Sequence, residues 1–198
     1  GVCGSGMHIN MSLFKDGRNI FDNADDELGL SQEAYYFIGG IMKHIKGMTA
    51  ITNPLVNSYK RLVPGFEAPI NIAWSATNRS PLIRIPSGRG ESTRVELRNP
   101  DPAANPYLTL AVCLAAGLDG IENKIMPPAQ VNENIFEIPQ ELKRDLELEC
   151  IPTDLNQAIE ELKKDELVEN TLGEHVCEKY IEAKKAEWAR YRAYVTNW

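Results

Sequence analysis

Residues 7–13 alternate, with Met7, Ile9, Met11 and Leu13 on one face and His8, Asn10 and Ser12 on the other. A period of two predicts a half-buried strand. Asp16-Gly17 predicts a turn. Ser31 reads as a helix N-cap with Glu33 in the first turn, and Tyr35, Ile38, Ile41, Met42, Ile45 and Met48 then recur near helical spacing. Asn53-Pro54, Pro64-Gly65 and Pro69 predict loop rather than helix over 53–69. Ile70, Ile72 and Trp74 against Asn71 and Ser75 give a second alternating strand. Leu82 to Ile85 is a short third, stopped by Pro86. Ser87-Gly88-Arg89-Gly90 predicts a flexible loop. Thr93, Val95 and Leu97 against Arg94, Glu96 and Arg98 give a fourth strand.

Asn99-Pro100-Asp101-Pro102 stops that strand. Asn105 caps a helix with Pro106 at its first position. Leu108 to Leu118 is almost wholly apolar, which predicts a buried helix, with Gly117 and Gly120 marking its end. Residues 122–153 are mixed and contain prolines. Thr153 or Asp154 opens a helix to about Lys164, and a last helix spans about Glu174 to Tyr194. Cys177, Ile181, Trp188, Tyr191 and Val195 form its apolar stripe. Strands early and helices late predict an α+β fold. The missing βαβ alternation argues against a doubly wound parallel sheet. No internal repeat or low-complexity tract is visible.

Composition narrows the class. Hydrophobic residues make up 43% and charged residues 25% of 198 positions, so a core can form without disulfides or a structural metal. The apolar runs fall well short of the about 20 residues that span a bilayer, and no signal peptide opens the chain. Cys3, Cys113, Cys150 and Cys177 lack metal-ligand spacing and read as reduced, mostly buried thiols of a cytoplasmic protein. A start at Gly1, leading straight into a strand pattern, suggests a piece of a longer chain. Residues 131–198 hold 16 acids against 9 bases and so carry the whole net charge of −7, leaving residues 1–130 balanced. An acidic tail argues against nucleic acid as the main partner. Within the balanced part, Arg61, Arg79, Arg84, Arg89, Arg94 and Arg98 crowd together.

That crowding is the first chemical signal. Guanidinium forks bind carboxylate and phosphate bidentately and keep their charge. His8, Asn10 and Ser12 project from one strand, and Arg94, Glu96 and Arg98 from another. A polar strand face is more often simply solvated, but two such strands with further arginines between them weaken that explanation. Imidazole and carboxylate, here His8 and Glu96, together suit Mg2+ or Mn2+ better than a thiolate-loving ion. Spacing alone does not make the two strands neighbours. Glu67, in the proline-bounded Pro64-Gly65-Phe66-Glu67-Ala68-Pro69, is either an exposed loop acid or a base on a lid.

Five strings carry a resemblance: Gly4-Ser5-Gly6-Met7-His8; Asn57-Ser58-Tyr59-Lys60-Arg61-Leu62-Val63-Pro64-Gly65-Phe66-Glu67-Ala68-Pro69; Asn78-Arg79-Ser80-Pro81-Leu82-Ile83-Arg84-Ile85-Pro86; Arg94-Val95-Glu96-Leu97-Arg98; and Asp101-Pro102-Ala103-Ala104-Asn105-Pro106-Tyr107-Leu108. Their order and gaps resemble the C-terminal catalytic portion of bacterial-type glutamine synthetases, from Gly1 into the last helix. The resemblance implies a curved, largely antiparallel sheet flanked by helices, of the type shared with guanido kinases. Residues 1–130 would form the domain core and 131–198 its helical extension. A small N-terminal β domain and the first part of the catalytic domain would lie upstream.

The implied activity is ATP-dependent ligation of ammonia to the γ-carboxylate of glutamate through γ-glutamyl phosphate. His8 and Glu96 would bind the metal, and Gly4, Arg61 and Arg98 glutamate. Asn10, Ser12, Arg84 and Arg94 would contact ATP, Arg79 the phosphoryl group in flight, and Glu67 ammonium. The family assembles as double-ring dodecamers with shared active sites and places further metal carboxylates upstream, so the 198-residue piece alone is expected to be inactive. Two residues depart from the family pattern: Cys3 stands where the family has Asn, and Phe136 where some members carry a nucleotide-modified Tyr. A γ-glutamyl–amine ligase and a non-catalytic member kept for assembly are the alternatives.

Overall fold

The computed structural model describes residues 4–63, 68–135, 137–138 and 148–196. Four short strands form one sheet in the order β1-β6-β5-β4. β1 (Ile9–Met11) runs antiparallel to β6 (Val95–Leu97), β6 antiparallel to β5 (Ile83–Arg84), and β5 parallel to β4 (Trp74–Ser75). β1 is shorter than the alternating stretch that predicts it, but the alternation persists in burial from Met7 to Leu13. A separate hairpin pairs β2 (Phe14–Lys15) with β3 (Arg18–Asn19). Asp16 and Gly17 both take positive φ, 51° and 77°, as a tight two-residue turn between twisted strands requires.

The helical layer is built on α1 (Gln32–Thr52), buried around most of its circumference. Ser31 Oγ accepts the Ala34 N–H at 3.1 Å, the predicted cap. Ile38, Ile41, Ile45 and Met48 join Ile83, Ile85, Val95 and Leu97 of the sheet in one continuous core. α3 (Pro106–Glu122), capped by Asn105 as expected, crosses α1 with the two backbones in contact. A Cβ at Gly40 would strike the carbonyl of Ala116, and one at Gly120 would strike that of Tyr36. Gly117 and Gly120 therefore lie inside the helix and do not end it. They permit the crossing, and the chain turns out only after Glu122.

Three further expectations change. α3 is not wholly buried: Tyr107, Leu110, Leu114 and Leu118 face outward, Tyr107 being 84% exposed. Apolar composition says that a face favours cover, not that this chain supplies it. The 53–69 segment contains a one-turn helix, α2 (Ser58–Arg61), next to the Leu55 N–H that Ser58 Oγ accepts. The Ser87–Gly90 segment is anchored: Arg89 donates to the carbonyls of Leu28, Pro86 and Gly88, and a 3-10 turn follows at Gly90–Ser92.

Asn71 to Ser75 is buried on both faces: Ile72 and Trp74 join the main core, while Ala73 packs with Val131, Ile135 and Ile138. Val131 N–H donates to the Trp74 carbonyl, and Trp74 Nε1 donates to that of Pro128 at 2.7 Å. The chain then runs through α4 (Leu155–Leu162), α5 (Glu166–Leu172) and α6 (Glu174–Ala193). Asp154 caps α4 by accepting the Gln157 N–H. The sequence pattern does not announce α5: it has only seven residues, and its cap, Asp165, lies three residues after the end of α4. α6 docks through buried Cys177 and through Tyr180, whose hydroxyl donates to the Ala50 carbonyl at 2.7 Å. Cys113 and Cys177 are buried, and burial pushes the Cys113 thiol up to about 12. Cys150 is exposed. No helix among the described residues is long and apolar enough to cross a membrane.

Candidate active site

Strand register builds the site. Asn10 stands opposite Glu96 on β1 and β6, and Arg84 stands opposite Glu96 on β5 and β6. Directly opposed residues share a face, so a row of polar side chains crosses three strands. His8, two residues before Asn10, joins the same face. Glu96 is the hub. Its Oε1 lies 3.0 Å from His8 Nδ1 and accepts from Arg98 at 2.9 Å, while Oε2 accepts from Arg84 at 3.1 Å. Glu96 and Arg98 are buried, and Arg84 is half-buried.

These groups line a cavity of about 610 Å3 together with Arg79, Asn78, Ser80 and Asn134. The structure thus brings five candidate residues together: His8, Arg79, Arg84, Glu96 and Arg98. Arg79 is exposed at the cavity. Asn10 and Ser12 do not line this cavity but a separate hollow of about 340 Å3, with Met11, Leu13, Phe37, Leu110 and Leu114. Arg94 donates from Nε to Asn10 Oδ1 at 3.1 Å.

Gly4 and Arg61 lie behind the strand exit. The Arg61 guanidinium donates to the carbonyls of Arg98, Asn99 and Pro100 at 2.8–3.2 Å. Much of that fork is thereby occupied in fixing the backbone below the cavity. Gly4 and Gly6 pass directly over this arginine: a Cβ at Gly4 would press on its aliphatic stem, and one at Gly6 would run into the guanidinium. Glu67, Cys3 and Phe136 lie outside the described residues.

Electrostatics set the protonation of His8. Burial depresses its pKa most, the Arg98 charge adds to this, and the Glu96 carboxylate opposes both. The balance favours a neutral ring. A neutral imidazole beside a carboxylate donates through the nitrogen that faces it, here Nδ1, which leaves the Nε2 lone pair free. Such an orientation is that of a metal-ligating histidine held by a carboxylate.

Glu96 offers about four lone-pair sites, of which His8, Arg98 and Arg84 take three. The pair fits a divalent cation as part of a ligand set only. Among the described residues no group of three or more His, Cys, Asp or Glu side chains could hold a metal ion. Arg98 keeps one further signature of a ligand site: its buried Nε has no partner among the described residues.

Two supports had no role in the sequence reading. Asn78 Nδ2 donates to the carbonyls of residues 131–133, and its Oδ1 accepts from Ser80 N–H and Oγ, so it shapes the cavity wall beside Arg79. The signal for it is the Asn two residues before Ser80, an Asx-turn pattern. Asn53 and Asn99 form a buried amide pair, with Asn53 Nδ2 donating to the Asn99 carbonyl and Asn99 Nδ2 to Asn53 Oδ1. It ties the end of α1 to the exit of β6. Nothing local in the sequence indicates that long-range pairing.

Comparison with known proteins agrees with this geometry. The chain is similar to a glutamine synthetase of Thermotoga maritima, 57% identical over all 198 residues, which make up 45% of that protein. It is similar to one of Methanosarcina mazei at 56% identity over 44% of that protein. The chain therefore spans somewhat under half the length of these curated relatives. A solved structure titled as a GmaS/ADP complex superimposes with a TM-score of 0.88 at 40% identity, covering 98% of this chain and 45% of that one. The family profile described as "Glutamine synthetase, catalytic domain" matches residues 1–198, so this chain, along its whole length, belongs to the glutamine synthetase catalytic-domain family.

Proposed function

We propose that the protein to which this chain belongs ligates ammonia to the γ-carboxylate of L-glutamate at the expense of ATP. The observation that carries the reading is the buried Glu96 carboxylate, flanked by His8 and by Arg84 and Arg98, on the wall of a cavity that Arg79 also lines. Such a field suits an anionic, phosphoryl-transferring substrate pair. A carboxylate oxygen of glutamate attacks the γ-phosphorus of ATP, and ADP leaves. Ammonia then attacks the acyl carbon, and phosphate leaves. Little covalent chemistry falls to the protein in such a reaction. Positioning and charge stabilisation carry it.

His8 Nε2 and the remaining capacity of Glu96 would hold Mg2+ or Mn2+, which would supply charge neutralisation at the phosphate. Arg79 and Arg84 would offset charge on the phosphoryl oxygens. Arg98, whose buried Nε has no partner among the described residues, would grip a glutamate carboxylate, while Gly4 and Arg61 shape that end. Asn10, Ser12 and Arg94 would contact the nucleotide, and a relative solved in complex with ADP supports nucleotide binding by this fold. Glu67 would take the proton from ammonium. With two metal ligands in hand, the 198-residue chain alone is inactive. The working enzyme would be a cytoplasmic homo-oligomer, a double-ring dodecamer as the resemblance implies, with neither nucleic acid nor membrane as partner.

The test uses the full-length protein. Phosphate release should require glutamate, ATP and ammonia together, and should not be supported better by larger amines. Glu96→Gln and His8→Ala should each weaken Mn2+ binding, followed by electron paramagnetic resonance titration, by about 10- to 100-fold or more. Unchanged Mn2+ affinity in both variants, or phosphate release independent of glutamate, would overturn the reading.

A further inference from the structure

Away from the cavity, a second histidine sits between two carboxylates. His44 of α1 is 7% exposed. Its Nδ1 lies 2.9 and 3.0 Å from the two oxygens of Asp165, the cap of α5. Its Nε2 lies 3.0 Å from Asp119 Oδ2 on α3. Ionised carboxylates only accept, and a neutral imidazole has a single N–H. Both contacts are satisfied together only when both ring nitrogens carry protons.

We propose that His44 is a buried imidazolium clamping α1 to α3 and to the start of α5, and that its deprotonation releases one arm of the clamp, making this helical junction pH-responsive. The proposal does not depend on the catalytic reading.

The surroundings decide which arm lets go. Asp119 also accepts from Lys43 Nζ at 3.1 Å and Asn123 Nδ2 at 2.8 Å. Beyond the histidine, Asp165 accepts from the Val168 N–H among the described residues. It is wedged against Gly47, where a Cβ would meet its carboxylate. A neutral ring therefore keeps Nδ1–H on Asp165 and turns a lone pair toward Asp119, whose other donors remain. Lys46 of α1, Glu161 of α4, Lys164 and Glu166 also line the hollow of about 490 Å3 beside the clamp, so solvent can exchange the proton.

Burial opposes the charged ring, but the hydrogen bonds to Asp165 and Asp119 outweigh it, with Lys43 opposing weakly, and the pKa of His44 is raised. A raised pKa in the folded state means stability that is complete below about pH 6.5, the unfolded value, and is lost as pH climbs through the folded value. Across that window the folding constant falls up to about tenfold per pH unit.

The experiment follows unfolding of the full-length protein between pH 6 and 10, with hydrogen exchange in the peptide over the last turn of α3, which carries Asp119, as a second readout corrected for intrinsic base catalysis. Asp119→Asn gives the neutral ring a donor to pair with Nε2. It should flatten the alkaline decline and make the variant more stable than the parent at high pH. His44→Gln should abolish the decline. If His44→Gln does not fold, Asp119→Asn against the parent decides alone. A parent curve without decline above pH 6.5, or an Asp119→Asn variant with the parent's slope and the parent's α3 exchange, would overturn the clamp.

Discussion

Two histidines of this chain each touch carboxylate oxygen at about 3 Å, yet the fold shifts their pKa values in opposite directions. At His8, burial first and then the charge of Arg98, which shares Glu96 with it, outweigh the carboxylate and lower the pKa. His44 faces Asp119 and Asp165 with Lys43 as the cation at hand, so the ring must supply the charge itself. A histidine–carboxylate contact therefore says little until the other partners of that carboxylate are counted. Saturated by guanidinium, a carboxylate orients an imidazole and leaves a lone pair for chemistry. Short of cations, it draws a proton from solvent onto the imidazole, and the pair becomes a fastener.

The contrast can be broken most forcefully at its hub. Glu96→Ala leaves Arg98 buried without its counter-charge and should cost about 3–5 kcal/mol in urea denaturation. It should also lower the His8 pKa further, since the one group raising it is gone. Asp165→Ala removes one arm of the other cluster together with the α5 cap. It should cost about 1–3 kcal/mol, and most of that cost should persist at alkaline pH, because a neutral ring keeps its Nδ1–H on Asp165 and the cap is lost at any pH. Removing Arg98 as Arg98→Met should move His8 toward the behaviour of His44, raising its pKa in an NMR titration. The smallest change is Lys43→Ala. That lysine is half exposed, so stability should move by at most about 0.5 kcal/mol. The alkaline decline of His44 should shift to higher pH, because one charge opposing the imidazolium is lost.

The pH dependence of the two rings has opposite sign. His8 has a lowered folded pKa, so folding resists its protonation, and stability falls as pH drops below about 6.5. His44 gives its loss above that value. The His8 limb should be the shallower, because its side chain is 37% exposed and screened by solvent. A pH profile in which His8→Ala steepens the acid limb would contradict this assignment.

Much of the polar face of the sheet was legible in advance. Alternation along 7–13 and 93–98 places His8, Asn10, Glu96 and Arg98 on strand faces, because a side-chain period of two is local and unambiguous. The pairing of β1 with β6 was not legible from spacing. It needs contacts about ninety residues apart in sequence, and only the resemblance suggested it. The caps Ser31, Asn105 and Asp154 were readable, since each is a local side chain-to-backbone bond. Burial of α3 was misread because hydrophobicity reports preference rather than neighbours. His44 was passed over because it interrupts an apolar helix, and its partners arrive 75 and 121 residues later. Arg61 was read from its motif as a substrate contact, and the fold adds a scaffolding duty through three carbonyls.

The crossing at Gly40 and Gly120 gives the clamp an unusual setting. Where side chains separate two helices, a core substitution can be absorbed by a change of rotamer, and the spacing drifts. Here main chain rests on main chain, and nothing between the two rods can yield. The gap that His44 bridges is thus inherited from peptide geometry. Drift in the surrounding hydrophobic residues would alter how firmly the layer holds, while the reach from imidazole to Asp119 stays the same.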